Sequence, residues 1–309
     1  MELRVFAEPQ EGATFEQQLV AAQAAERLGF GAFFRSDHLL RIKPGDPLPG
    51  PTDSWVTLGA IARETSTIQL GTMVTSATFR LPGPLAIAVA QVDAMSGGRA
   101  ELGLGSGWYE REHSAYGVPF PALGERFDRL EEQFEIIAGL WATAPGERYS
   151  YEGAHYQLID CPALPRPVSP GGPPLIVGGL GARRTPALAA RRAAEFNVPF
   201  AGLDRTRSQF ERVREACQQA GRDPAELVYS HAVTVCCATS EQGLRRRAER
   251  IGTDLQELRR GGAAGTPAEV TERLAAFAEA GSQRAYLQVI DLDDIEHLEL
   301  IAAEVMPHL

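Results

Sequence analysis

Short apolar runs of strand length alternate with amphipathic helical stretches along the whole chain, and this alternation points to a parallel sheet with crossover helices. Eight runs read as strands: Leu3–Ala7, Gly31–Phe34, Ile68–Val74, Ala100–Leu104, Pro174–Val177, Glu195–Val198, Leu227–Cys236 and Arg284–Ile290. Helical patterns lie between them, among them Thr14–Leu28, Ser54–Thr65, Pro84–Met95, Leu123–Trp141 and Thr206–Ala220. Over 309 residues, such units fit a TIM (β/α)8 barrel better than a doubly wound sheet, read as one domain over residues 1–309. One insertion breaks the rhythm after the fourth helix. Glu147–Pro174 carries Tyr149, Tyr151, Tyr156 and six prolines, which predicts a hairpin followed by an extended loop. Arg41–Pro51, rich in Pro and Gly, reads as a lid or a long loop.

Composition narrows the function classes. With 44% hydrophobic and 23% charged residues and no long apolar run, the expectation is a soluble globular protein with no membrane partner. The N-terminus opens as a strand, with neither a basic segment nor a long apolar one, so a cytoplasmic location is expected. Net charge is −10 with basic residues scattered among acids, which disfavours nucleic acid and favours a small molecule. Of 30 Lys+Arg residues only Lys43 is a lysine. Schiff-base and pyridoxal-phosphate chemistry would therefore depend on that one residue. Cys161, Cys217, Cys236 and Cys237 show no CxxC spacing, so free thiols and no structural zinc are expected.

A parallel barrel collects its chemistry at the C-terminal strand ends. There the sequence places Glu8, Ser36-Asp37-His38, Thr75 and Ser76, Ser106 to Tyr109, Gly178 to Gly181, Asn197, His231 and Asp291. Asp37 and His38 suit a cleft with two titratable groups, although the same pair also suits a turn cap and a surface histidine. Gly178-Gly179-Leu180-Gly181 opens onto a helix with Arg183 and Arg184, which suits a phosphate, while a plain tight turn is an equal reading. Gly103-x-Gly105-x-Gly107 has the wrong last spacing for a dinucleotide fingerprint. His113 and His155 are expected at the surface, and His231 in the core or as a pocket wall. No two histidines have metal-ligand spacing.

Several segments together resemble the luciferase-like oxidoreductases, a TIM-barrel family using flavin mononucleotide (FMN) or the deazaflavin coenzyme F420. They are Arg35-Ser-Asp-His38, Gly71-Thr-Met-Val-Thr-Ser-Ala-Thr-Phe79, Gln91-Val-Asp-Ala-Met-Ser-Gly-Gly-Arg99, Leu102-Gly-Leu-Gly-Ser-Gly107 and Leu175-Ile-Val-Gly-Gly179. Ser-Asp-His after the second strand and the Thr-Phe-Arg ending after the third resemble the F420 branch. The resemblance implies that Asp37 hydrogen-bonds the ring system and that His38 sits beside the carbon exchanging hydride. It implies a non-proline cis bond at Met73–Val74 behind the ring, with Ser76 and the turn Ser106, Gly107 and Trp108 lining the cofactor. Gly178 and Gly179 would hold a phosphate through their amides, with Leu180 and Asn197 alongside.

There are departures from the family pattern. F420 dehydrogenases tend to carry an acid directly after the glycine turn of the fourth strand, whereas here Trp108 and Tyr109 precede Glu110. Sugar-phosphate relatives place lysines around the substrate phosphate, and this chain has none in those regions. The resulting expectation is an F420-dependent oxidoreductase acting on an alcohol, imine or activated alkene, with His38 moving the proton and Glu8 the second acid or base. Family likeness makes a homodimer the expected assembly. An FMN-dependent monooxygenase is the first alternative. A metal-dependent barrel hydrolase or isomerase using Asp37, His38, His231 and Asp291, and a non-catalytic flavin-binding protein, are the others.

Overall fold

The computed structural model describes all 309 residues. Its strands are β1 (Glu2–Ala7), β2 (Ala32–Arg35), β3 (Gln69–Ser76), β4 (Ala100–Gly105), β5 (Tyr149–Glu152), β6 (Gln157–Cys161), β7 (Leu175–Gly178), β8 (Glu195–Pro199), β9 (Val228–Cys237), β10 (Ala263–Gly265) and β11 (Arg284–Val289). Eight of them pair in parallel in the order β1-β2-β3-β4-β7-β8-β9-β11, and β11 pairs back to β1 to close an α/β barrel. All eight coincide with the apolar runs of the sequence to within a few residues. The three-residue β10, which adds to β9 outside the closed ring, carried no such signal.

Helices cover the barrel because their apolar stripes face it and their ends are well specified. The first, Phe15–Leu28, is opened by a capping box in which Thr14 and Gln17 exchange hydrogen bonds, and ended by Gly29 at φ +84°. Asp53 caps Ser54–Glu64 by accepting from the amides of Trp55 and Val56. The main core lies between strands and helices, while a smaller cluster of Phe6, Ala32, Phe34, Met73, Ile176, Ala232 and Tyr286 fills the barrel itself. No helix is long and apolar enough to cross a membrane.

The Glu147–Pro174 stretch forms the antiparallel hairpin β5–β6 after the long helix Leu123–Ala142. Glu132 on that helix accepts from the amides of Ala154, His155 and Tyr156 at the hairpin turn. Gln133, one residue on, donates to the carbonyls of Ala77 and Arg80, so the hairpin and the loop after β3 share one support.

Between Thr72 and Thr75 the β3–β4 register shifts, and the Met73–Val74 peptide bond within that shift is cis. This segment leans over β4. A Cβ on Gly103 would collide with the Thr72 carbonyl, and one on Gly105 would lie 2.7 Å from Val74 Cγ2, so glycine at both positions makes room for the bulge.

Candidate active site

The C-terminal strand ends surround a cavity of about 410 Å³. Phe6, Ile42, Met73, Val74, Phe79 and Phe200 give it apolar walls, and Glu8, Asp37, His38 and Glu112 supply its charge. No lysine or arginine lines it. The cavity also gathers Ser76, Ser106, Gly107, Trp108, Gly178, Gly179, Leu180 and Asn197, so all the residues marked in the sequence as catalytic or cofactor-binding meet in one place.

His38 follows β2 and is 18% exposed. Its Nδ1 lies 3.0 and 3.1 Å from the two carboxylate oxygens of Glu112, and Glu112 also accepts the Leu39 amide at 2.8 Å. A carboxylate can only accept, so Nδ1 carries the proton and Nε2 is the nitrogen left for chemistry. The Trp108 ring stands edge-on to the imidazole at 5.5 Å and is itself 63% exposed, which places it at the lip. Burial opposes charge on His38, but the hydrogen bond and charge of Glu112, with Glu8 and Asp37 beyond, outweigh it and raise the pKa above 6.5.

Glu112 was not among the residues expected in the site, since the sequence left the acid after the fourth-strand turn unassigned, with Glu110 following Trp108 and Tyr109. Glu110 points to solvent, whereas Tyr109, Glu112 and His113 are buried on one face of the helix Glu110–Tyr116. The i, i+3, i+4 spacing of those three residues was the available signal. His113 corrects a second expectation: it is fully buried, because the same face turns it inward between Phe79 and Phe120. His155 is only partly exposed and sits in the hairpin.

Asp37 lines the cavity and is also tied into the protein. Its carboxylate is buried and occupied, Oδ2 accepting from Thr75 Oγ1 at 2.9 Å and Arg80 Nε at 3.3 Å, and Oδ1 from Arg80 Nη2 at 3.2 Å. The side chain therefore anchors Arg80, which reaches on to Asp53 at 2.8 Å. Glu8 is held by two amides, accepting from Gln288 Nε2 at 2.8 Å and Gln10 Nε2 at 2.9 Å. Burial raises its pKa despite the opposing charge of His38.

At the β7 turn, the Gly179 amide donates to the Asn197 carbonyl at 3.1 Å and is thus already used. The backbone N–H groups of Leu180, Gly181, Ala182, Arg183, Arg184 and Thr185 find no acceptor in the protein, so the free donors begin one residue later than expected. They open the helix Arg184–Arg192, whose N-terminal dipole favours an anion. Asn197 is buried and donates to Ser230 Oγ at 2.9 Å.

The metal-site alternative loses its geometry. His231 lies in the barrel wall, stacked on Phe277 at 4.0 Å, bonded through Nδ1 to Ser282 Oγ and lowered by burial to about 3. Asp291 pairs with Arg250 at 2.8 Å. No three His, Cys, Asp or Glu side chains are placed to hold a metal ion.

The family model described as "Luciferase-like monooxygenase" matches residues 1–258. An F420-dependent glucose-6-phosphate dehydrogenase of Kineococcus radiotolerans is 30% identical over 315 aligned residues, covering 93% of this chain and 91% of the relative. A protein of the same description from Microbacterium testaceum is 37% identical over 182 residues, 58% of this chain. That match spans 51%, about half, of the relative's length. Among solved structures, an F420-dependent secondary alcohol dehydrogenase in complex with an F420-acetone adduct aligns with TM-score 0.85 at 18% identity, over 99% of this chain and 98% of that one. The monooxygenase RslO1 from Streptomyces bottropensis aligns with TM-score 0.84 at 22% identity, over 100% of this chain and 99% of that one. At these identities both speak to the fold alone.

Proposed function

The chain belongs to the luciferase-like monooxygenase family, and from that premise we propose that it is an F420-dependent oxidoreductase acting on a small uncharged alcohol or carbonyl compound. The observation that carries the reading is the His38–Glu112 pair in a cavity without lysine or arginine. Relatives described as F420-dependent dehydrogenases support the cofactor.

The residues present fit such a cofactor. Gly107 lies at φ +77°, where a Cβ would run into Ser76 Oγ, so glycine keeps this wall open for a flat ring. The free amides from Leu180 to Thr185, with Arg183 making no ion pair, are suited to hold a phosphate. Bound F420 supplies a carbon that takes up or gives back hydride, and the protein contributes position and charge.

His38 moves the proton that accompanies that hydride. With Nδ1–H fixed on Glu112, Nε2 takes the hydroxyl proton of an alcohol or returns one to a carbonyl oxygen. Glu112 stabilises the imidazolium formed on the way. Glu8, neutral to higher pH than an ordinary carboxyl, is the second acid or base of the site. Phe6 and Phe79 give the reacting atoms an apolar wall, with Phe200 at the open side of the cavity.

A sugar phosphate does not suit this site. A separate, more polar cavity of about 540 Å³ holds Arg41, Lys43 and Arg250, but each is engaged, Lys43 with the Ile251 carbonyl and Thr253, Arg250 with Asp291, and Arg41 with Glu11. Fluorescence titration with F420 beside FMN tests the cofactor. Tight binding of F420 alone is the expected result, and preference for FMN with oxygen consumption would replace the reading with a monooxygenase. His38→Ala should lower turnover far more than F420 affinity, and an unchanged turnover number would remove His38 from the mechanism.

A further inference from the structure

His113 takes no part in the proton step, yet it begins a hydrogen-bonded line that ends in the cavity wall. Its ring is packed 4.8 Å from Phe79 and 4.4 Å from Phe120. Nδ1 lies 2.8 Å from the Tyr109 carbonyl, Nε2 lies 2.6 Å from Thr78 Oγ1, and Thr78 Oγ1 lies 2.6 Å from Ser76 Oγ. Ser76 lines the cavity.

For a neutral His113 ring, the direction of every bond in this line follows from its first member. A carbonyl accepts only, so Nδ1 of His113 donates to Tyr109. The neutral ring then keeps a lone pair on Nε2, and the Thr78 hydroxyl must donate to it. That uses the one proton of Thr78, so Ser76 is the donor in the Ser76–Thr78 contact. The one proton of Ser76 is used in turn. Its oxygen can offer the cavity only lone pairs, one of them lightly engaged by the Thr78 amide at 3.5 Å.

We propose that His113 is a positioning residue that makes Ser76 a one-way acceptor, so that this wall selects the imide N–H edge of the bound ring system over a carbonyl edge. The inference rests on the cofactor reading above and deepens it, because a pyrimidinedione carries one N–H between two carbonyls. A serine free to rotate would accept either edge, whereas one with its proton committed discriminates between them. No charge is needed, only a fixed tautomer two side chains away from the ligand.

The tautomer can be read by ¹⁵N NMR of the ligand-free 309-residue protein with labelled histidine. His113 should show a protonated Nδ1 and an unprotonated Nε2, and an imidazolium or the opposite tautomer would overturn the proposal. The second arm compares F420 with its N3-methyl analogue by fluorescence titration. Loss of one hydrogen bond should weaken the methylated form by about tenfold or more. His113→Phe keeps the ring between Phe79 and Phe120 but frees the Thr78 proton, so Ser76 can also donate to a carbonyl of the methylated form and the preference should shrink while the melting curve stays in place. Should that variant not fold, Thr78→Val cuts the line at its other joint with the same expectation. Equal affinity of wild type for both ligands would sink the inference while sparing the cofactor reading, and failure of both to bind would sink the two together.

Discussion

The two ends of the barrel both carry buried charge and handle it in opposite ways. At the floor, where the strands begin, Arg4 is fully buried and bonded to Glu101 at 2.7 Å and Tyr286 Oη at 3.1 Å, with Glu2 beside it, while Arg284 holds Glu195 at 2.5 Å. The two arginines there each hold a buried carboxylate, Glu101 and Glu195, and close the floor of the barrel. At the mouth, His38 is the one basic side chain among Glu8, Asp37 and Glu112 on the cavity wall. The same chemical types thus close one end and leave the other with an acid excess, a protonatable ring and room for a ligand. Charge committed to a buried partner is architecture, and a basic nitrogen with a free lone pair beside a cavity is available for catalysis.

The largest expected effect separates the two ends in one experiment. His38→Asn retains a donor towards Glu112 but removes the exchangeable nitrogen, and should cut turnover by roughly 10²–10⁴-fold. Arg4→Met should do the reverse, lowering stability by about 3–5 kcal/mol because Glu101 is left buried without its cation. Urea unfolding and turnover per folded molecule, measured on both variants, check the pair. Full activity in His38→Asn, or lost turnover with unchanged stability in Arg4→Met, would erase the contrast.

A smaller effect tests how the mouth tunes its histidine. Because Glu112 favours the charged ring, the limb of the pH–rate profile that belongs to His38 should lie above 6.5. In the direction where His38 acts as base, activity rises through that raised value. Glu112→Gln removes the stabilising charge and leaves burial, which favours the neutral ring, so the limb should move to lower pH and kcat should fall about 10–100-fold. A limb that stays in place would show that Glu112 does not set the protonation of His38. The stability sign agrees. A raised folded-state pKa contributes stability fully present below the unfolded value of 6.5 and lost as pH rises through the folded one.

The sequence disclosed the floor and the mouth unequally. All eight barrel strands were legible, since a strand buried on both faces is a continuous apolar run, and so was the hairpin, from its aromatic alternation and its glycine. Asp37 and His38 were legible because they end such a run. Glu112 was not, since two acids two positions apart, Glu110 and Glu112, look alike until a helix turns one inward. His113 was misread for the same reason. The partner of Asp37 is forty-three positions away at Arg80, and pairing at that separation leaves no local trace.

The smallest effect lies at the rim of the floor. Glu26 accepts from the amides of Ser66, Thr67 and Ile68 just before β3, and despite some desolvation these bonds lower its pKa to about 2. A depressed folded-state value contributes stability that is present above the unfolded 4.5 and lost as pH falls towards about 2. Because Glu26 is only partly buried, screening reduces its worth, and Glu26→Gln should cost about 1 kcal/mol or less at neutral pH. The deficit should narrow on acidification between those two values while turnover is unchanged at every pH. A variant whose deficit is independent of pH would assign the loss to the geometry of the turn. One that altered turnover would show that the ends of the barrel are coupled, against the division of labour drawn from Arg4 and His38.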